Sequence, residues 1–244
     1  SGKSLLANDP HLKFTQPPRW YEMHLKGGRF NVSGLCLAGI PMPIIGQNEH
    51  IAWGLTNSMV DDMDFFIETI NSQNRNQYLY NGKWEDMKII TETIPLKNNR
   101  DTTITIRLTH HGPIITDVHS LLNEDTVSIS MAWTGNWLTK EIDGLFGLSI
   151  SKNWSDFTSA VKNYGVPGQN IVYADVEGNI GWRSAVYIPI RKQGSSLTPR
   201  PGDDPSYDWQ GRVPYSEMPF LYNPESGYIA TANNKVIDDS FPYY

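Results

Sequence analysis

Turn signals that recur between short apolar segments are the feature that most constrains this chain. Asn81-Gly82 lies between two aromatic segments and tolerates the positive φ angles of a two-residue hairpin turn. Residues 46–50 and 175–179 separate apolar segments in the same way, with Gly178 at the second turn. The chain is therefore predicted to be rich in antiparallel hairpins. Further strands are predicted in segments 20–30, 89–94 and 102–108.

Helices are predicted in only two places. The clearer helix is indicated by apolar residues at helical spacing, namely Trp154, Phe157, Ala160, Val161 and Tyr164. Asn153 can cap its start, and Gly165 suits a left-handed residue after its end. Residues 141–148 form the second helix, although two glycines lower the helix propensity there. Many strands with few helices favour the α+β class, and we expect one domain over residues 1–244.

Charge, hydropathy and cysteine content exclude several classes of protein. The net charge of −6 and the scattered Lys and Arg residues argue against a nucleic-acid surface. No run of 18 apolar residues is present, so no membrane-spanning helix is predicted. Cys36 is the single cysteine, which excludes an internal disulfide, and we expect it to be a small buried apolar side chain. Residues 194–208 are rich in Ser, Pro, Gly and Asp and are predicted to form a loop.

Some short motifs give only weak signals. Gly2-Lys3-Ser4 looks like the end of a phosphate-binding loop, but Asn8-Asp9-Pro10 would break the helix that such a loop requires. Residues 149–152 fit the SxxK pattern of serine acyltransferases without its partner motifs. His110 and His111 are expected to point to opposite faces of a strand, so no zinc site is predicted there.

Three other positions allow both a structural and a functional interpretation. Residues 61–64, Asp-Asp-Met-Asp, form either a solvated acidic turn or a set of hard oxygen ligands suited to Ca²⁺. Asn233-Asn234 forms either an Asx turn at a strand end or a side-chain amide donor to an oxyanion. His11 follows Asp9-Pro10, which fixes a turn, and by itself is more often structural than catalytic.

Together and in order, five segments resemble the β chains of the penicillin acylase (penicillin amidase) family of N-terminal-nucleophile hydrolases. These segments are residues 6–11, 46–57, 61–64, 173–181 and 226–234. The resemblance implies an α+β fold, the αββα four-layer sandwich, of which this chain holds a strand-rich part. It also implies that the chain is the N-terminal part of a β chain, truncated at both ends.

The resemblance further implies a mechanism of acyl transfer. In this family a precursor cleaves itself and frees an N-terminal Ser, whose hydroxyl attacks an amide carbonyl while its α-amino group accepts the proton. The backbone N–H of Asn57 and the side-chain amide of Asn233 match the oxyanion donors. His11 matches the position that orients the nucleophile's amine. Penicillin G acylase has Gln there, whereas the cephalosporin and homoserine-lactone acylases tend to have His, which argues against a phenylacetyl preference.

The resemblance also implies a structural calcium ion and several partners. Asp61 and Asp64 match carboxylate ligands of this ion, and Met63 would supply a backbone carbonyl. Other ligands would come from the α chain and from beyond Tyr244, and no organic cofactor is expected. The partners are a small-molecule amide (a penicillin, a cephalosporin or an acyl-homoserine lactone), the α chain and the remainder of the β chain, with neither nucleic acid nor membrane. A periplasmic or secreted location is expected by analogy.

The nucleophile itself is expected to lie before the first residue. Ser1 aligns inside the family's β chain and not at its head, so we predict that this polypeptide alone is inactive. The alternative function is a secreted, β-rich module that stacks exposed Trp and Tyr rings on carbohydrate. The acylase interpretation requires His11, Asn57 and Asn233 to converge on one cleft. The carbohydrate interpretation requires several Trp rings on a common exposed face.

Overall fold

The computed structural model describes residues 3–97, 100–118, 127–192 and 197–243. The predictions for Ser1 and Gly2, and part of the predicted loop 194–208, lie outside these residues. Within them the chain forms two α-helices, α1 (Glu141–Ile150) and α2 (Trp154–Val161). The strands are β1 (Trp20–Gly27), β2 (Phe30–Leu37), β3 (Ile45–Gln47), β4 (Ile51–Asn57), β5 (Met63–Glu68), β6 (Gln77–Tyr80), β7 (Lys83–Asp86), β8 (Lys88–Ile94), β9 (Thr102–Leu108), β10 (Ser128–Trp133), β11 (Gln169–Asp175), β12 (Ile180–Ala185), β13 (Pro189–Arg191), β14 (Arg200–Pro201), β15 (Trp209–Arg212) and β16 (Phe220–Tyr222).

A seven-stranded antiparallel sheet organises the molecule, in the order β1-β2-β3-β4-β11-β12-β16. The predicted hairpins β3–β4 and β11–β12 are both present, with Gly178 at a φ of 103° in the second turn. The long-range pairing of β4 with β11 joins them and sets Asn57 opposite Gln169. The polar ends of two distant segments therefore meet at one end of the two central strands.

The core lies between one face of this sheet and the two helices. Ile51, Trp53 and Leu55 point to this face and are buried, as the period-two alternation of a strand requires. They pack with residues of β11 and of both helices, including Leu148 and Phe157, which have no exposed surface. Full burial of each such side chain contributes about 2 kcal/mol. One face of β4 thus packs against the helices, and polar contacts form on its opposite face.

The helix predictions are confirmed, with one correction. The Asn153 side chain caps α2 by accepting a hydrogen bond from the Asp156 N–H at 3.0 Å. The helix ends at Val161, and Lys162 keeps a right-handed conformation. The prediction that Gly165 caps this helix was therefore wrong. Gly165 lies against Tyr187 instead, where an added Cβ would come within 2.4 Å of the ring.

Smaller sheets lie beside the main one. Strands β10, β5 and β14 form a three-stranded sheet, and β13–β15, β6–β7 and β8–β9 form two-stranded sheets. The β6–β7 turn has φ angles of 48° at Asn81 and 75° at Gly82, as its sequence predicts. The described part of the predicted loop 194–208 contains a short strand, β14, which pairs in parallel with β5.

Two expectations about single features can be compared with the structure. Cys36 is fully buried, as predicted, and burial raises the pKa of its thiol. Neither α-helix in the described part of the chain has the length and apolar composition needed to cross a lipid bilayer. The strand-rich content with two helices agrees with the α+β class.

Candidate active site

The backbone of Asn57 and the side chain of Asn233 are in direct contact, although 176 positions separate them in the sequence. The Asn57 N–H donates to Asn233 Oδ1 at 2.8 Å. Asn57 is the last residue of β4, and Asn233 lies in an irregular segment with a left-handed φ of 52°. The structure therefore brings together two of the three predicted catalytic residues. The Asx-turn interpretation of Asn233 is not supported, because its side chain bonds to β4.

Polar residues of β11 hold Asn57 from the other side. Gln169 Nε2 donates to Asn57 Oδ1 at 2.9 Å, and Asn170 Nδ2 donates to the Asn57 carbonyl at 3.3 Å. Asn170 is fully buried, and its Oδ1 accepts the indole N–H of Trp182 at 3.0 Å. The roles of these two residues were not predicted from the sequence. Their signal is a Gln-Asn pair at the start of an otherwise apolar strand, where buried amides require partners.

The segment that carries Asn233 is attached to the sheet by a second contact. Thr56 Oγ1 donates to Thr231 Oγ1 at 2.9 Å, and Thr56 lies on the sheet face opposite the helices. The Ala232 N–H donates to Asn234 Oδ1, which fixes the local bend. Within the described residues no partner accepts from Asn233 Nδ2, so this donor stands available beside the Asn57 N–H.

His11 is not part of this contact. Its side chain is 87% exposed and contacts Asp9, whose carbonyl oxygen lies 3.0 Å from Nδ1. The segment is nevertheless anchored close to Asn57. Asn8 Nδ2 donates to the Leu55 carbonyl at 3.1 Å, and Asn8 Oδ1 accepts the Leu55 N–H at 2.9 Å. Gly54 makes room for this, because a Cβ there would lie 2.8 Å from Asn8.

The acidic cluster 61–64 is not simply a solvated turn. Arg191 on β13 binds it, with Nε 2.7 Å from Asp64 Oδ2 and Nη2 3.2 Å from Asp61 Oδ1. The Trp209 indole N–H also donates to Asp64 Oδ2. Burial raises the pKa of Asp61, and the negative charges of Asp64 and Asp62 raise it further, while Arg191 opposes them.

One buried carboxylate oxygen of this cluster lacks a hydrogen-bond donor within the described residues. Asp64 is 3% exposed, and its Oδ1 is buried without a hydrogen-bond partner in the described residues. A buried carboxylate oxygen without a donor is costly, and a hard cation would satisfy it. The cluster therefore fits a calcium ion in part. Arg191 supplies one positive charge, and Asp64 Oδ1 has no hydrogen-bond donor among the described residues.

Comparison with known proteins decides the family. The sequence profile described as Penicillin amidase matches residues 1–244. The chain belongs to the penicillin amidase family. It is 32% identical over 250 residues to QuiP, an acyl-homoserine lactone acylase of Pseudomonas aeruginosa, which covers 99% of this chain and 29% of that protein. It is 34% identical over 236 residues to penicillin G acylase of Escherichia coli, covering 95% of this chain and 27% of that protein.

A solved structure of the family has the same fold. The thermostable penicillin G acylase from Alcaligenes faecalis matches with a TM-score of 0.81 at 28% identity, covering 95% of this chain and 42% of that one. The described sheet and helices therefore form an α+β fold of the N-terminal-nucleophile hydrolase kind. The chain spans less than a third of the length of the two sequence relatives.

The tryptophans of this penicillin amidase family member do not form a common exposed face. Trp53 and Trp182 are buried, and of the eight Trp residues, all of which are described, Trp84 alone is largely exposed, at 47%. Stacking on carbohydrate needs several accessible rings in one plane. The arrangement does not support the carbohydrate-binding alternative.

The expectation that His110 and His111 point to opposite faces of a strand was wrong. Strand β9 ends at Leu108, and both histidines lie in a bend that follows it. The alternation of a strand therefore does not apply, and both rings lie near Asp208. The Ser149 of the SxxK pattern is buried in α1, where its hydroxyl donates to the Leu145 carbonyl.

Proposed function

We propose that the enzyme containing this chain hydrolyses a linear amide by acyl transfer to an N-terminal serine. The contact between the Asn57 N–H and the Asn233 carboxamide carries this proposal. It holds the Asn57 N–H against the carboxamide oxygen of Asn233, whose Nδ2 is a second potential donor beside it. Two relatives, an acyl-homoserine lactone acylase and a penicillin G acylase, support a small amide substrate.

The proposed chemistry requires donors where negative charge develops. The serine hydroxyl adds to the amide carbonyl, its proton passes to the serine's own α-amino group, and the carbonyl oxygen becomes an oxyanion. In our proposal this oxygen displaces Asn233 Oδ1 from the Asn57 N–H and accepts from Asn233 Nδ2 as well. Collapse of the intermediate expels the amine, and water then releases the acid. Loss of one such donor typically slows an acyl transfer about 10²–10³-fold.

His11 has a positioning role in this proposal. The double hydrogen bond between Asn8 and Leu55 fixes the segment before His11 on β4, two residues from Asn57. In this proposal the exposed imidazole, whose contacts in the structure are with Asp9, turns toward the serine and hydrogen-bonds its α-amino group. Replacement of His11 by Gln would retain a hydrogen-bonding side chain at this position.

The partners in this proposal are the α chain and the remaining β chain. One face of the seven-stranded sheet is covered by helices, whereas the opposite face is crossed by extended segments at Asn8 and Thr231. We propose that a second sheet and its helices complete a four-layer αββα sandwich on that face. We also propose that the precursor is processed autocatalytically in the periplasm or after secretion.

A calcium ion forms part of the proposal. Asp61 and Asp64 would hold it through carboxylate oxygens and Met63 through its carbonyl, and the unpartnered Asp64 Oδ1 supports this assignment. The ion would neutralise negative charge near β5 and stabilise the fold. Calcium should raise the melting temperature relative to a chelator, and Asp64→Asn should abolish this difference. An equal melting temperature with calcium and with chelator contradicts the proposal.

An activity assay tests the catalytic proposal. The complete precursor and the polypeptide 1–244 are each incubated with a phenylacetyl amide and with an acyl-homoserine lactone, and release of the free amine is measured. We expect hydrolysis by the processed precursor, faster for the lactone substrate, and none by the polypeptide alone. Hydrolysis by polypeptide 1–244, or a complete precursor inactive on both substrates, would contradict the proposal.

A further inference from the structure

A cluster of two histidines and one aspartate lies away from the Asn57–Asn233 contact and shares no residue with it. Asp208 Oδ1 lies 3.2 Å from His111 Nε2 and 3.6 Å from His110 Nε2. One ligand atom from each residue lies within 4.8 Å of the others. Neighbouring ligands on a tetrahedral zinc ion, with bonds near 2.0 Å, are about 3.3 Å apart. The two oxygen–nitrogen separations are thus close to those between neighbouring ligands of one small ion.

We propose that His110, His111 and Asp208 bind one divalent transition-metal ion, with Zn²⁺ as the best-fitting member of this class. Two imidazole nitrogens and one carboxylate oxygen form a common ligand set for zinc. Calcium and magnesium prefer oxygen ligands only, which distinguishes this site from the Asp61–Asp64 cluster. The proposal is independent of amide hydrolysis.

Both imidazole rings are oriented by hydrogen bonds at the nitrogen that faces away from Asp208. His111 Nδ1 lies 2.9 Å from Glu68 Oε1, and His110 Nδ1 lies 3.0 Å from the Tyr78 hydroxyl. A proton on Nδ1 of His111 leaves the Nε2 lone pair directed at the ion. This carboxylate–histidine–metal arrangement is the usual support of zinc-binding histidines. Asp208 is held as well, because its Oδ2 accepts a hydrogen bond from the Tyr80 hydroxyl.

The site is rigid on one side and accessible on the other. The His111 ring stacks on Phe66, with centroids 3.6 Å apart, and its side chain is only 5% exposed. The His110 side chain is 33% exposed. All three ligands line an open cavity of about 890 Å³, together with Trp137 and Trp209. A metal ion can therefore enter from solvent, and its fourth position faces the cavity, where water or a small ligand could bind.

The alternative to a metal is a buried ion pair. Protonated His111 would then donate to both Glu68 and Asp208, and His110 would have no required role. The two interpretations differ in what His110 does. Removal of a zinc ligand abolishes or strongly weakens metal binding, whereas loss of a half-exposed ring beside an ion pair leaves the ion pair in place.

Zinc titration of the full chain tests the proposal. Calorimetry is carried out with ZnCl₂ in buffer that contains excess CaCl₂, so that calcium occupies the acidic cluster. We expect one Zn²⁺ per chain, and at least a tenfold loss of affinity in His110→Ala. His24→Ala is the matched control, because His24 is exposed and hydrogen-bonds Asn31 on a distant hairpin. It should bind zinc like the wild type.

Further variants keep the test decisive. Glu68→Gln should weaken binding roughly tenfold, because it removes the carboxylate behind His111. If circular dichroism shows that His110→Ala does not fold, His110→Asn, which retains a polar group near Tyr78, takes its place. Co²⁺ should give d–d absorption bands typical of four nitrogen and oxygen ligands. The proposal is overturned if the wild type does not bind zinc at 1:1, or if the His110 variant binds it with unchanged affinity.

Discussion

At the scale of single residues, the oxygen and the nitrogen of the Asn233 carboxamide have different roles: the oxygen is structural, and the nitrogen is the proposed catalytic donor. Asn233 Oδ1 accepts the Asn57 N–H, whereas Nδ2 is the proposed donor to the oxyanion. In the complete enzyme Asn233→Asp retains the acceptor and loses the donor. We expect kcat to fall about 10²–10³-fold while the melting temperature changes little. The measurement is steady-state kinetics on the preferred amide.

The matched control for this variant is the neighbouring residue. Asn234→Asp introduces the same change of charge one position away and keeps the oxygen that accepts the Ala232 N–H. It should leave kcat within a few fold of the wild type. An equal loss of activity in both variants would show that charge alone, and not the Asn233 donor, is responsible.

A second residue-scale prediction concerns Asp175 at the β11–β12 turn. Burial alone would raise the pKa of Asp175, but hydrogen bonds from Asn179, Tyr173 and the Glu177 N–H lower it below its usual value. A lowered pKa in the folded state means that the ionised form stabilises the fold above the unfolded-state pKa. This stabilisation is lost as the pH falls through that value toward the folded-state pKa.

Asp175→Asn should therefore lower the free energy of unfolding by about 2 kcal/mol at pH 7. The difference from wild type should shrink below about pH 4, where Asp175 binds a proton in the unfolded state while the folded state, with its lowered pKa, still resists protonation. Urea denaturation at pH 7 and pH 3 measures both values. Glu177→Gln, which removes an exposed carboxylate of the same turn, should change neither. A difference that stays constant with pH is the contrary result.

The residue scale also shows what the sequence can reveal about the site. Asn57 and Asn233 were matched through family resemblance, and the structure brings them together. Gln169 and Asn170 were missed because their role depends on pairing between β11 and β4, which no local pattern encodes. His110 and His111 were misjudged because the bend after Leu108 removes the alternation that the prediction assumed.

At the scale of elements, the contact between α1 and α2 explains two glycines that weaken the helix prediction. Gly147 lies against Ala160, and an added Cβ would come within 2.7 Å of the Ala160 Cβ. The glycines thus allow close packing that helix propensity alone cannot anticipate. Gly147→Ala would gain about 1 kcal/mol in propensity and lose about 2 kcal/mol through overpacking. We expect a net loss of about 1 kcal/mol.

A double-mutant cycle tests this packing argument. In an Ala160→Gly background the 2.7 Å contact is removed and the nearest remaining atom is the Cα of residue 160, at 3.3 Å, so Gly147→Ala should lose most of its penalty and be neutral or stabilising by up to about 1 kcal/mol. Chemical denaturation of the four proteins gives the coupling energy. Equal effects of Gly147→Ala in both backgrounds would mean that the two positions do not interact.

The elements differ in how far local sequence predicts them. The β6–β7 and β11–β12 hairpins were predicted because their turns contain residues that accept positive φ angles, such as Gly82 and Gly178. The start of α2 was also predicted from local sequence, because the Asn153 side chain can accept a hydrogen bond from the first turn of the helix. Its end was not, because Gly165 serves packing against Tyr187 and not a helix cap. The order of strands in the main sheet likewise depends on contacts between distant segments.

At the scale of the whole molecule, Arg191 connects two of the smaller sheets, β13–β15 and β10-β5-β14. It reaches from β13 to Asp64 on β5 and to the backbone and side chain of Asp61, while Trp209 on β15 binds the same Asp64 oxygen. The Arg191 and Asp64 side chains are 12% and 4% exposed. Removing one partner of such a buried pair leaves an uncompensated charge, which costs about 3 kcal/mol.

Arg191→Met should therefore lower the melting temperature by roughly 10 °C for a chain of this length. The variant leaves the two carboxylates without their cation, so calcium should stabilise it more than it stabilises the wild type. Free calcium at about 100 times its dissociation constant would restore about 2.7 kcal/mol. Arg212→Met, which removes a guanidinium stacked on Tyr187, is the matched control and should show little calcium dependence. If calcium stabilises Arg191→Met no more than it stabilises Arg212→Met, then the carboxylates at Asp61 and Asp64 are not the ligands, and the assignment of the ion to this cluster is wrong.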